Sequence, residues 1–326
     1  MQAWFCETLD GPDALNWKEA PTPEPGKGEV RVAIKAASLN FPDLLIVQGK
    51  YQMKPPLPFV PGAEFAGVVE AVGEGVKHLA VGTAVAGFAG TGGFGTHTIA
   101  PAAVLMPLPP AFSFEDGAAF LCTYGTTYHG LIDRAQLKAG ETVLVLGAAG
   151  GVGTAAIQIA KAAGAKVIAA ASTDEKCALC KTLGADDTIN YSTQNLRDEL
   201  KTLTGGKGPD VVYDPVGGDF TEAAFRSIAW RGRYLVVGFA NGQIPSLPLN
   251  LTLLKGASVM GVFWGEFAKR EPQNNAASLM QLAAWYMEGK IKPLIEHKLP
   301  MSQIKEAFTL MGSRQVRGKL VLTNQG

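Results

Sequence analysis

The chain of 326 residues has no surplus of charge: 29 Lys and Arg balance 29 Asp and Glu. Binding to a phosphate backbone needs a local excess of cations, and no run of them appears, so no nucleic-acid partner is expected. Cysteine is scarce as well, with four residues in all. Cys6, Cys122, Cys177 and Cys180 are too few for a disulfide scaffold, which fits a reducing, cytoplasmic setting. Long apolar runs are missing too. Stretches such as Thr142 to Val152 and Val167 to Ala171 fall far below the roughly 20 residues that cross a bilayer, so no membrane partner is expected. The N-terminal residues show no basic stretch leading into an apolar run, and no secretory signal is expected.

Metal ligands are thin on the ground. The four histidines, His78, His97, His129 and His297, have no ligand spacing with one another. Cys177 and Cys180 lie one helical turn apart, with no second Cys or His pair to complete a tetrahedral site. No metal is expected, and without a Lewis acid the chemistry suits conjugated acceptors better than alcohol oxidation.

Apolar side chains and glycine are plentiful. Hydrophobic residues make up 47% and charged residues 18%, a balance that buries large cores and argues against disorder. At about 150 residues per domain, the length implies roughly two domains. Glycine, with 39 residues, stands well above its usual share of about 7%. It gathers in two places, the turns from Gly82 to Gly95 and the segment Gly147 to Gly153.

The first 110 residues read as short strands and tight turns in a small barrel-like domain. Glu29 to Ala37 alternates with period two, Gly67 to Val72 is a second β-branched run, and Pro55, Pro56, Pro58 and Pro61 make the stretch between them a loop. From about Ser113 the texture becomes helical, and from Glu141 strands alternate with helices. Such alternation predicts βαβ units and a doubly wound parallel sheet, placed at residues 123–260. The C-terminal 65 residues or so carry further helices and strands that could pack back on the first domain.

The sharpest motif is Gly147-Ala148-Ala149-Gly150-Gly151-Val152-Gly153, between a predicted strand and a predicted helix. A pyrophosphate must approach the backbone at a helix N-terminus, where free N–H groups and the helix dipole favour negative charge and side chains would obstruct. Gly150 suits that approach and Gly153 suits close helix-to-strand contact, while Ala148 departs from the usual first glycine. About 20 residues on, an NAD site normally ends its second strand with a carboxylate. Here the strand ends Ala171-Ser172-Thr173, followed by Lys176, and a cation beside hydroxyls favours NADPH. Asp174 and Glu175 lie near enough to compete for that position, and Lys176 as a plain solvated helix residue is the alternative.

Taken together, Ser38-Leu39-Asn40-Phe41-Pro42-Asp43, Pro61 to Gly67, Ala148 to Gly153, Gly184-Ala185-Asp186, Asp214 to Gly218 and Gly318 to Leu322 make the chain resemble the medium-chain dehydrogenase/reductase superfamily. More narrowly it resembles the zinc-free, NADPH-dependent quinone oxidoreductases, and within them the quinone oxidoreductase-like protein 2 group, through Pro55 to Phe59, Asp174 to Cys177 and Met260 to Gly265. Zinc-dependent members have Gly-His-Glu where this chain has Gly62-Ala63-Glu64. The resemblance implies a GroES-like catalytic domain at 1–122 and 261–326 around a Rossmann domain at 123–260. It implies Asn40 and Thr126 near the nicotinamide and its ribose, and Gly150, Gly151 and Val152 at the pyrophosphate. Lys176, Tyr191 and Arg314, with Ser172, would meet the 2′-phosphate, and Gly238, Phe239 and Phe263 would line the nicotinamide face. Asp43 and Tyr51 would be polar residues of a quinone pocket, with Tyr51 supplying or orienting a proton. The structural alternatives are a turn for Asn40, a backbone pairing for Asp43 and a pocket wall for Tyr51. The resemblance further implies a homodimer through an edge strand at Ser258 to Trp264. The expected activity is hydride transfer from NADPH to a quinone or similar conjugated carbonyl. The alternatives are C=C reduction of enals, enones or enoyl thioesters, or NADPH binding with little catalysis.

Overall fold

The computed structural model describes residues 1–313 and 315–324. The chain divides into two compact units, Met1–Cys122 with Pro293–Gly326, and Thr123–Lys292. The return to the first unit therefore comes at Pro293 and not at 261 as expected. The helices Trp264–Arg270 and Pro272–Met287 belong to the second unit. Trp264 anchors them there: a Cβ on Gly125 would sit 2.6 Å from its indole, and its Nε1 donates to Asn275 Oδ1 at 2.9 Å.

The second unit holds six strands, Thr142–Leu146, Lys166–Ala171, Asp187–Asn190, Val211–Asp214, Arg233–Val236 and Ser258–Gly261. Every pairing is parallel, and numbered in chain order the strands lie 3-2-1-4-5-6. That order is the Rossmann arrangement of the doubly wound α/β class. Strands buried on both faces must be apolar throughout, and Val143 to Leu146 are fully enclosed. The order reverses between the first and fourth strands, which pair directly, so the turns after them flank the position where such sheets bind ligands.

The first unit is built on a seven-stranded sheet. Ile295–Pro300 and Lys319–Thr323 lead into the long strand Glu29–Leu39, followed by Glu64–Val72, Ala84–Phe88 and Leu105–Pro107, while His97–Pro101 also pairs with Glu29–Leu39. This is the β-rich GroES-like body. Two registers bring distant residues together. Ser38 lies opposite Glu64, and Leu39 opposite Leu320, which delivers Lys319 to the turn at Asn40. A short helix, Phe41–Val47, follows that turn with proline in its first turn, where a missing N–H costs nothing.

Candidate active site

In the nucleotide-type unit, the helix Gly151–Ala162 starts at Gly150, and no side chain caps it. Its first N–H groups thus have no intrahelical acceptor. A Cβ on Gly150 would meet only Gly147 O, at 3.4 Å, so the space above the turn is open to an approaching group. Gly153 is glycine for a different reason: its Cβ would lie 2.4 Å from Gly147 O and 2.7 Å from Ala148, so the helix could not pack onto its own turn. This cradle fits a pyrophosphate.

The turn after the fourth strand is held by one carboxylate. Asp214, buried, accepts from Val216 N at 2.8 Å, Gly217 N at 2.9 Å, Thr221 Oγ1 at 3.2 Å and Tyr234 Oη at 2.5 Å. Sequence reasoning noted this motif without its purpose. The carboxylate fixes the second wall of the switch point, and burial with that charge pushes the Tyr234 phenol up. Gly238 and Phe239 follow the fifth strand. Gly238 N donates to Asp214 O at 3.4 Å, and a Cβ on Gly217 would lie 3.0 Å from the Phe239 ring. Thr126 is half-buried beside Thr127, whose Oγ1 donates to Val152 O at 3.4 Å.

At the ends of the second and third strands the structure gathers Ser172, Lys176 and Tyr191. Lys176 Nζ donates to Ser172 Oγ at 3.5 Å, and Tyr191 N donates to Ala171 O at 3.1 Å. Asp174, the acid that could have competed for a ribose, instead accepts from Asn190 Nδ2 at 2.7 Å. Arg314 lies outside the described residues. Phe263 is 57% exposed and precedes the helix at Trp264. The edge strand ends at Gly261, so the expected segment reaching to Trp264 is corrected. Trp264 is buried in a helix, its ring held by the space at Gly125.

The first unit contains a buried charged cluster that sequence reasoning missed in part. Glu64, fully enclosed, accepts through Oε2 from Ser38 Oγ at 2.8 Å and Asn40 Nδ2 at 3.0 Å, and through Oε1 from Cys122 N at 2.8 Å. Lys319, 4% exposed, places its ammonium 2.5 Å from Asn40 Oδ1, 3.3 Å from Leu39 O and 3.6 Å from Glu64 Oε2. Asp43 is committed to the backbone: Oδ2 accepts from Asn40 N at 2.8 Å and Oδ1 from Ala63 N at 3.0 Å. This is the backbone-pairing alternative for Asp43. Burial pushes its carboxyl up to about 7, against the two N–H donors that pull it down. Ala63 reaches Asp43 because Gly62, at φ 98°, adopts a conformation that side chains avoid. Tyr51 packs partly buried against this unit's core. Among the described residues its hydroxyl has no hydrogen-bond partner, and burial, then the charges of Cys122 and Asp43, push it up. Burial and Glu64 push the Cys122 thiol up as well.

The model of the alcohol dehydrogenase GroES-like domain matches residues 26–110, and that of the zinc-binding dehydrogenases matches residues 151–284. These two modules on this topology define a medium-chain dehydrogenase/reductase. More particularly, the chain belongs to the quinone oxidoreductase-like members of that superfamily. It is 39% identical to the quinone oxidoreductase-like protein 2 homolog of Nematostella vectensis, over 99% of this chain and 89% of the relative. It is 38% identical to quinone oxidoreductase-like protein 2 of Bos taurus, over 99% and 97%. Among solved structures, the Escherichia coli quinone oxidoreductase complexed with NADPH superposes with a TM-score of 0.93 at 31% identity, covering 99% of this chain and 100% of that one.

The second family description raises zinc, and the residues do not fit it. The position before Glu64 is Ala63, which has no donor. Asn40 Oδ1 faces an ammonium, and Glu64 already carries three donors beside that cation. Among the described residues no group of three or more His, Cys, Asp or Glu gathers as ligands. No helix among them is long and apolar enough to cross a membrane.

Proposed function

We propose that the chain is a reductase that uses NADPH to reduce a quinone or a similar conjugated carbonyl, without a metal. The observation that carries the cofactor choice is the strand end at Ala171, where Lys176 and Ser172 stand together and Asp174 is tied to Asn190. NADPH, when bound, supplies the hydride. Gly150, Gly151 and Val152 bind the pyrophosphate through N–H groups, and Ser172, Lys176 and Tyr191 hold the 2′-phosphate. Thr126, Gly238, Phe239 and Phe263 border the nicotinamide, and Asn40 orients the reacting groups. Tyr51 keeps its proton at Oη until the reduced carbonyl oxygen takes it. The relatives' names and the NADPH complex of the Escherichia coli enzyme support this reading. Two copies would pair through the edge strand Ser258–Gly261, which is bonded on one side by Arg233–Val236 and exposes Val259.

The test is NADPH consumption across quinones, enones and enoyl thioesters, with NADH as control. Quinones turn over fastest with NADPH. Lys176→Met raises the KM for NADPH about tenfold, the worth of one charge-assisted hydrogen bond at a half-buried site, and leaves NADH unchanged. Equal use of NADH by the wild type overturns the cofactor choice. NADPH binding without turnover on any acceptor overturns the enzyme reading.

A further inference from the structure

Asn40 is 6% exposed, and both ends of its carboxamide are engaged. Oδ1 accepts from the Lys319 ammonium at 2.5 Å, while Nδ2 donates one hydrogen to Glu64 Oε2 at 3.0 Å. Turned by half a rotation, the amide would set NH2 against the ammonium and oxygen against the carboxylate, donor to donor and acceptor to acceptor. The flanking charges therefore select one orientation. The ammonium donates to Asn40 Oδ1 and Leu39 O and pairs with the Glu64 carboxylate at 3.6 Å. Glu64 accepts from Ser38, Asn40 and the Cys122 N–H. What the cluster leaves over is the second N–H of Asn40 Nδ2.

We propose that Lys319 and Glu64 are positioning residues that lock the Asn40 carboxamide so that it works as a hydrogen-bond donor. Its partner in the reacting complex is then an acceptor oxygen, a carbonyl, and not a donor. This rests on the reading of Asn40 given above. Lys319 and Glu64, both buried, would act through Asn40 alone.

A double-mutant cycle tests it. Asn40→Ala, Lys319→Met and the double variant are compared in NADPH oxidation with a para-benzoquinone, reading kcat and KM separately and recording the Tm of each. Each single change lowers kcat by about ten- to a hundredfold, the cost of a misplaced reacting group. KM for NADPH holds, and Lys319→Met in the Asn40→Ala background has no further effect on kcat. Losses that multiply in the double variant overturn the proposal, because Lys319 then acts by another route. So does an Asn40→Ala enzyme with unchanged kcat. Should Lys319→Met fail to fold, Lys319→Met combined with Glu64→Gln removes both charges together, and the cycle is run with that pair against Asn40→Ala. A wild type that reduces no quinone overturns the functional reading and the positioning with it. Multiplying losses in an active enzyme overturn the positioning alone.

Discussion

Replacing Asp43 with asparagine isolates an unusual contribution to stability. The carboxyl is 1% exposed and pushed from 3.8 up to about 7, chiefly by burial. The folded chain thus keeps this proton to near neutrality, whereas the unfolded chain releases it near 4. Between those values unfolding releases a proton, so each rise in pH favours the unfolded state. The stabilising contribution is complete below about pH 4 and is lost as the pH rises through 7. At about 1.4 kcal/mol for each tenfold change in proton concentration, the interval amounts to at most about 4 kcal/mol. The substituted carboxamide does not titrate, although it satisfies the N–H groups of Asn40 and Ala63 less well and lowers stability at every pH. The measurement is urea unfolding of both proteins from pH 4 to pH 8. The wild-type value minus the variant value should fall steadily up to pH 7. Other carboxylates run the opposite way, such as Glu296, where burial pushes up but the hydrogen bonds and charge of Arg317 together outweigh it and hold the carboxyl down; they are common to both proteins and cancel. A difference that stays flat across the interval refutes the reasoning.

Gly153→Ala forces a methyl to within 2.4 Å of Gly147 O. It should lower Tm by several degrees and abolish the stabilisation expected from added NADPH in the wild type, both read in one thermal melt. Tyr51→Phe removes the hydroxyl that has no partner among the described residues. As a general acid Tyr51 is worth about a hundredfold in kcat, and an unchanged kcat reduces it to a pocket wall. Val259→Lys puts a charge on the exposed edge strand; if two copies pair there as proposed, sedimentation should show a dimer for the wild type and a monomer for the variant, and a monomeric wild type refutes the pairing.

The nucleotide-type unit is legible in the sequence because its physics is local. Buried parallel strands read as unbroken apolar runs, helices as a different period, and the glycine turn is dictated by contacts within seven residues. The errors come from distant partners. The segment from Ala257 to Trp264 is apolar nearly throughout, so pattern could not tell where the strand stops. The stop is set by space left at Gly125, far upstream. The helix Phe41–Val47 is too short for its periodicity to stand out, and it carries proline in its first turn, where proline is tolerated. Glu64 and Lys319 go unrecognised as site residues because their partners, too, are remote in sequence. Each is the charged first residue of a mainly apolar strand, and only the register of three strands joins residues 64, 38 and 319. The available signal is a pair of opposite charges, each opening a mainly apolar strand.

That cluster also gives the chain's overall neutrality a local meaning. A buried carboxylate such as Glu64 must be balanced, since an unpaired charge in the interior costs several kcal/mol. A dication with three ligands would be one way to balance it, and Lys319 is another. The ammonium neutralises Glu64, and Asp43 meets its own burial by holding a proton. The buried cluster around Asn40 thus carries no net charge until Asp43 ionises near pH 7. A neutral pocket favours an uncharged planar acceptor over an anion. In the proposed reaction, negative charge that develops on a reduced carbonyl oxygen would be met by the second N–H of Asn40 and the hydroxyl of Tyr51. In that reaction the same charge balance that stabilises the fold would also bear on the choice of acceptor.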